Sequence, residues 1–239
     1  MKWELICFDL DNTLFDYERT FERTMKHCFE KLSVQFNYKI TSEEWFPAFK
    51  KYCDLDWVKF ETEHWTKEQY YENRFLDTMN ELSLPAKIEV ANCLQTEFNK
   101  NVHHFIVPFK GTKHLLLYLR HHFNGPLGII TNGRTKIQQA KIKALELNTF
   151  FKEKSIFISE ELKLAKPDKS IFQFVNQHMK VSGDKSLYIG DSWELDIKGA
   201  ISAEWDAIYF NTRGEKAQKT VPHVPQCNTI NEIISILEK

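Results

Sequence analysis

Four short segments of this 239-residue chain carry side chains that could do chemistry, and three of them follow an apolar run. In Cys7-Phe8-Asp9-Leu10-Asp11-Asn12-Thr13-Leu14, two carboxylates stand two residues apart. On a strand, such residues project to the same side. Carboxylates side by side repel, so either one keeps a proton or a cation sits between them. A cation would make Asp9 a nucleophile, and a proton would make Asp11 a general acid/base. The same residues also suit a solvated turn.

The second segment, Ile129-Ile130-Thr131-Asn132-Gly133-Arg134, offers a hydroxyl and free amides just before a helical pattern. Such a turn binds phosphate, or is an ordinary strand-to-helix loop. In Lys166-Pro167-Asp168 the lysine stands at a helix entry, solvated unless acids surround it. The last segment, Tyr188-Ile189-Gly190-Asp191-Ser192-Trp193-Glu194-Leu195-Asp196, puts Asp191 at a strand tip. Ser192 is placed to cap a helix, and Asp196 falls in that helix's first turns. Each segment alone has a bland explanation. All four fall at C-terminal ends of expected strands, where open α/β sheets bind ligands.

The elements that must position them alternate. Short apolar runs at 4–10, 127–131, 155–158, 187–190 and 207–210 read as strands. Stretches 112–122, 134–146, 169–179, 194–202 and 230–238 carry apolar residues at helical steps. This alternation predicts a doubly wound parallel α/β sheet. All eight glycines lie after residue 110, whereas more than half of the Phe, Trp and Tyr lie in 15–109. Helix interiors exclude glycine, so 15–109 is expected to be an all-helical domain inserted after strand one. Its helices are expected at 17–33, 41–54, 65–80 and 84–101, with capping-box sequences at Thr41–Glu44 and Thr66–Gln69. The α/β core is then 1–14 with 110–239.

Composition excludes several classes. Lys+Arg (32) and Asp+Glu (33) leave a net charge of −1, which argues against holding a nucleic-acid polymer by bulk charge. The longest apolar run, Leu115–Leu119, is far short of a membrane span, and no signal-peptide pattern opens the chain. Cys7, Cys28, Cys53, Cys93 and Cys227 form no C-x-x-C pair and read as reduced thiols of a cytoplasmic protein. The His103-His104 and His121-His122 pairs do not converge on one ion and read as surface residues. Lys216 and Lys219, near Pro222 and Pro225, read as a solvated loop. Whether Arg134 and Arg213 reach the rim of the strand-end crevice is not decided by the sequence.

The order Asp9-Leu10-Asp11-Asn12-Thr13, Thr131, Lys166, Gly190-Asp191-Ser192 with Asp196 resembles the haloacid dehalogenase-like hydrolase superfamily. The likeness is to the subgroup with a helical cap after strand one. It implies a Rossmann-like sheet in the order five, four, one, two, three. It also implies that Asp9 attacks phosphorus, while Asp11 protonates the leaving alcohol and then deprotonates water. Mg²⁺ would be held by Asp9, the Asp11 backbone carbonyl and Asp191. Asp196 would orient the metal's water shell or Lys166. Thr131, Asn132, Gly133 and Lys166 would hold the phosphoryl oxygens. An Asp at position 11 favours phosphatases over the dehalogenase branch.

The phrases FDLDNTLFDYE, GIITNG and YIGDSWELDIKGA are similar to the bacterial 5′-nucleotidase branch. That similarity implies a nucleoside 5′-monophosphate as the substrate, while the sequence leaves open whether the chain is a monomer or homodimer. A sugar-phosphate or phosphoglycolate phosphatase, and a non-catalytic binding protein on the same fold, are the alternatives.

Overall fold

A computed structural model describes residues 1–62, 65–214 and 224–238. Lys216, Lys219 and Pro222 lie outside the described residues. The chain divides into two compact units, Met1–Tyr17 with Ile106–Lys239, and Glu18–Phe105. The sequence had suggested 15–109 for the second.

The first unit is built on a six-stranded parallel sheet in the order β3-β2-β1-β4-β5-β6. Its strands are β1 (Leu5–Phe8), β2 (Leu127–Thr131), β3 (Ile156–Ile158), β4 (Ser186–Gly190), β5 (Asp206–Phe210) and β6 (Gln226–Cys227). The expected order of five strands holds, and β6, only two residues long, is an addition beside β5. So short a strand carries no pattern that sequence periodicity can detect. Apolar layers cover both faces, as a parallel sheet requires. Ile6, Phe8, Ile129, Leu187 and Ile189 pack on one side. Leu5, Cys7, Ile130, Tyr188 and Ala207 pack on the other.

The second unit holds α1 (Tyr17–Phe36, entered from the first unit), α2 (Ser42–Thr62), α3 (Lys67–Glu81) and α4 (Ile88–Asn101). Both expected capping boxes form. Glu44 N donates to Thr41 Oγ1 at 3.2 Å while Thr41 N donates to Glu44 Oε2 at 3.0 Å. Thr66 and Gln69 make the same reciprocal pair at the start of α3. Helix α2 runs past the expected residue 54 to Thr62, and α4 starts at Ile88 rather than at 84. A stacked core of Phe29, Trp45 and Phe49, with centroids 4.1 and 4.3 Å apart, accounts for part of the aromatic content.

The helices of the first unit are α5 (Thr112–His122), α6 (Thr135–Ala144), α7 (Ser159–Leu162), α8 (Lys169–Met179), α9 (Lys198–Ser202) and α10 (Ile230–Leu237). The expected helix over 194–202 is instead a π-helical turn, Trp193–Ile197, running into α9. Such turns are frequent at functional sites.

Candidate active site

Parallel pairing of β1 with both β2 and β4 brings three of the four segments to one edge of the sheet. Thr131 ends β2, Asp9 follows β1, and Asp191 follows β4. Asp9 N donates to Ile189 O at 2.9 Å, which continues the ladder and fixes Asp9 beside the tip of β4. After Asp11 the chain turns through Asn12 in the left-handed region (φ 56°), which Asn tolerates better than most residues. Asn12 Oδ1 accepts from Tyr17 N at 2.9 Å and holds the turn closed.

Lys166 does not stand at a strand end as expected: it enters from the loop between α7 and α8, eight positions past the end of β3. Asn132 positions it by clasping its backbone: Asn132 Nδ2 donates to Lys166 O at 2.9 Å, and Lys166 N donates to Asn132 Oδ1 at 3.0 Å. The ammonium donates to Asp9 Oδ1 at 2.5 Å, Asp196 Oδ1 at 2.6 Å and the Tyr188 hydroxyl at 2.9 Å. The surface-lysine reading therefore fails, because acids do surround it. Asp196 contacts Lys166 directly, and its other oxygen accepts from Ser192 N at 2.9 Å. Ser192 caps the π-helical turn, accepting from Leu195 N at 3.2 Å. Gly190 is required here: a Cβ at that position would stand 2.5 Å from Asp196 Cγ.

Asp9, Asp191 and Asp196 are all buried, and each offers a carboxylate oxygen within 4.8 Å of the others. Burial pushes Asp9 up to about 7, against the pull of Lys166 and with the help of Asp196 and Asp11. Asp191 is raised well above the usual carboxylate range by burial, then by Asp196 and Asp9, with Arg213 and Lys166 opposing. Burial alone would lower Lys166, but Asp196 and Asp9 hold it above the ordinary lysine value. With all three acids ionised, the site would carry one negative charge more than Lys166 and Arg213 together neutralise, which is why burial favours the protonated forms of Asp9 and Asp191. An all-oxygen, acid-rich donor set of this kind fits a hard divalent cation such as Mg²⁺.

The side chain of Asp11 lies outside that trio. Its Oδ1 accepts from Lys141 Nζ at 2.6 Å and its Oδ2 from Gln138 Nε2 at 2.8 Å. Neither α6 residue was expected at the site; their spacing of three in the helical stretch after Thr131 was the only sign in the sequence, and their burial is visible only in the structure. Gln138 also donates to Thr131 Oγ1 at 2.6 Å. The Gly133 amide, expected to be available to phosphate, donates instead to Ser159 Oγ at 3.0 Å. Arg213, which the sequence left undecided, reaches the rim, 3.2 Å from Asp191 Oδ2. Arg134 is exposed at the start of α6. Pro167 precedes α8, but the cap is Asp168, whose Oδ1 accepts from Ser170 N at 2.8 Å.

The haloacid dehalogenase-like hydrolase family model matches residues 3–204. The chain is 28% identical to the pyrimidine 5′-nucleotidase YjjG of Escherichia coli, with all of both chains covered. It is 25% identical to the pyrimidine 5′-nucleotidase PynA of Streptococcus pneumoniae, over 88% of this chain and 85% of that one. Among solved structures, the magnesium-bound HAD hydrolase YfnB of Bacillus subtilis superposes with a TM-score of 0.84 at 24% identity, over the full length of both.

Proposed function

We propose that this chain, which belongs to the haloacid dehalogenase-like hydrolase family, is a Mg²⁺-dependent phosphatase acting on nucleoside 5′-monophosphates. The observation that carries the phosphatase reading is the buried acid trio, two of whose members pair with Lys166, with a fourth carboxylate, Asp11, held separately beside it. The nucleotide reading is supported by similarity to the two pyrimidine 5′-nucleotidases.

Asp9 is the nucleophile. Lys166 occupies its Oδ1, while the Thr13 hydroxyl lies 3.5 Å from Oδ2. A lone pair of Asp9 forms the bond to phosphorus as the bond to the leaving oxygen breaks. Asp11 gives that oxygen a proton, and the substrate leaves as its alcohol. In the second half Asp11 takes a proton from water as the water oxygen attacks the aspartyl-phosphate, and the Asp9–phosphorus bond breaks to free inorganic phosphate. Thr131, the backbone amide of Asn132 and Lys166 bind the phosphoryl oxygens. Asp196 holds Lys166 in line with Asp9.

Asp9, the Asp11 carbonyl and Asp191 would hold Mg²⁺. When bound, it supplies positive charge that offsets repulsion between carboxylates and substrate and polarises the phosphoryl group. With the three acids ionised, a phosphate dianion entering beside Asp9, Asp191 and Asp196 brings the negative charge to about five, against which Lys166 and Arg213 are insufficient. Phosphoryl transfer needs mainly such positioning and charge stabilisation.

The test is a panel of nucleoside monophosphates, sugar phosphates and 4-nitrophenyl phosphate, with and without Mg²⁺, beside an Asp9→Asn control. Nucleoside monophosphates are expected to turn over fastest, and Asp9→Asn to lose about 10³-fold or more. A sugar phosphate as best substrate would overturn the nucleotide assignment alone. Undiminished turnover by Asp9→Asn would overturn the mechanism.

A further inference from the structure

We infer that Gln138 and Lys141 are positioning residues that hold the Asp11 carboxylate in the orientation its proton transfers require. This rests on the phosphatase reading above. The two residues are three apart on α6 and so share one face. Each takes one oxygen of Asp11, so the plane of the carboxylate is fixed from two sides rather than free to rotate.

Lys141 is an unusual place for a charge. It is only 5% exposed, with its ammonium over the rings of Phe15 (5.8 Å) and Tyr17 (5.1 Å). Burying an ammonium is costly without a partner, and Asp11 is the carboxylate that it pairs with. The burial is lopsided: the lysine side chain is 6% exposed and the Asp11 side chain 27%. A pair serving stability alone has no need to leave its acid accessible. Here the cation is hidden and the carboxylate keeps an open side, with lone pairs left for a leaving oxygen or a water.

Gln138 extends the arrangement. Its Nε2 also donates to Thr131 Oγ1, at 2.6 Å, so one amide ties the acid/base to the hydroxyl assigned to phosphate. Registration of the proton donor against the bound phosphate matters because a misplacement near 1 Å costs on the order of 10²-fold in rate.

The experiment compares leaving groups. A poor leaving group (the best alkyl phosphate of the panel) needs its proton from Asp11, and 4-nitrophenolate hardly does. Lys141→Met should lower kcat on the alkyl ester about 10²-fold and on 4-nitrophenyl phosphate less than about 10-fold. Lys141→Arg should restore much of the difference. Equal losses on both esters would overturn the inference, since a merely structural defect does not sense the leaving group. In the Asp11→Asn background, adding Lys141→Met should cause no further loss, whereas multiplicative losses would overturn the coupling. If Lys141→Met does not fold, Gln138→Met asks the same question of the other oxygen and is judged by the same ratio. A metal-free crystal structure of either variant should show the Asp11 side chain turned from its present orientation, and an unmoved side chain counts against the inference. Full turnover by Asp9→Asn would overturn the parent mechanism with it.

Discussion

Each of the two units buries a cation to the same depth, and the two solve the problem in opposite ways. Lys166 in the α/β unit and Arg74 on α3 of the helical unit are both 5% exposed. Lys166 sits among carboxylates, donating to Asp9 and Asp196. Arg74 makes no ion pair among the described residues. It donates to Gln95 Oε1 at 2.7 Å and Tyr70 Oη at 3.3 Å, and stacks near Tyr70 and Tyr71, each 4.8 Å from its guanidinium carbon. An aromatic cage disperses charge without any formal counter-ion, whereas a carboxylate cluster concentrates charge of both signs. The first arrangement suits packing and the second suits chemistry. Burial of a charge is therefore no indicator of function by itself; what matters is whether its neighbours leave charge over.

That contrast can be broken by removing each cation. Lys166→Met should have the largest consequence, lowering turnover about 10²–10³-fold and destabilising the metal-free protein by about 3–5 kcal/mol. The loss arises because Asp9 and Asp196 then face each other unpaired, so added Mg²⁺ should return part of the melting temperature. A melting temperature unchanged in metal-free buffer would show that the trio does not depend on its lysine. Arg74→Met should cost less, under about 2 kcal/mol, because no acid is stranded and the methionine keeps the apolar stem among the rings. A loss as large as that of Lys166→Met would abolish the distinction between the two sites.

The smallest effect concerns Cys53, 3.7 Å from Arg74 Nη1. A neighbouring guanidinium ordinarily activates a thiol, but burial dominates here and pushes Cys53 up to about 11, with Arg74 pulling the other way. Thiol titration of the folded protein at pH 8 should accordingly find only Cys93 reactive, since Cys7, Cys28, Cys53 and Cys227 are buried. Fast modification of Cys53 would mean that the guanidinium, not the burial, governs that pocket.

Three of the four chemical segments were legible because each lies where a local rule applies: an apolar run ends, and polar residues able to turn the chain follow; Lys166, in the loop between α7 and α8, carries no such mark. Gly190 is needed for the close approach of Asp196, and Ser192 is needed as a cap, so residue type and position carry the information together. The helical insert was legible from the distribution of glycine and of the aromatic residues. The shorter elements were not, because two residues of β6 and four of α7 span less than one period of any pattern.

The sequence by itself therefore determined the alternation of strands and helices, the insert, and the identity of the acids and hydroxyl at the strand ends. Only the tertiary structure decided which of them touch. Lys166 reaches Asp9 across 157 positions, Lys141 reaches Asp11 across 130, and Arg213 meets Asp191 from a loop whose composition announces nothing. The physical reason is that local propensity acts over a few residues. Pairing between distant side chains follows from the order in which parallel strands assemble and from the cost of leaving any buried charge unmatched.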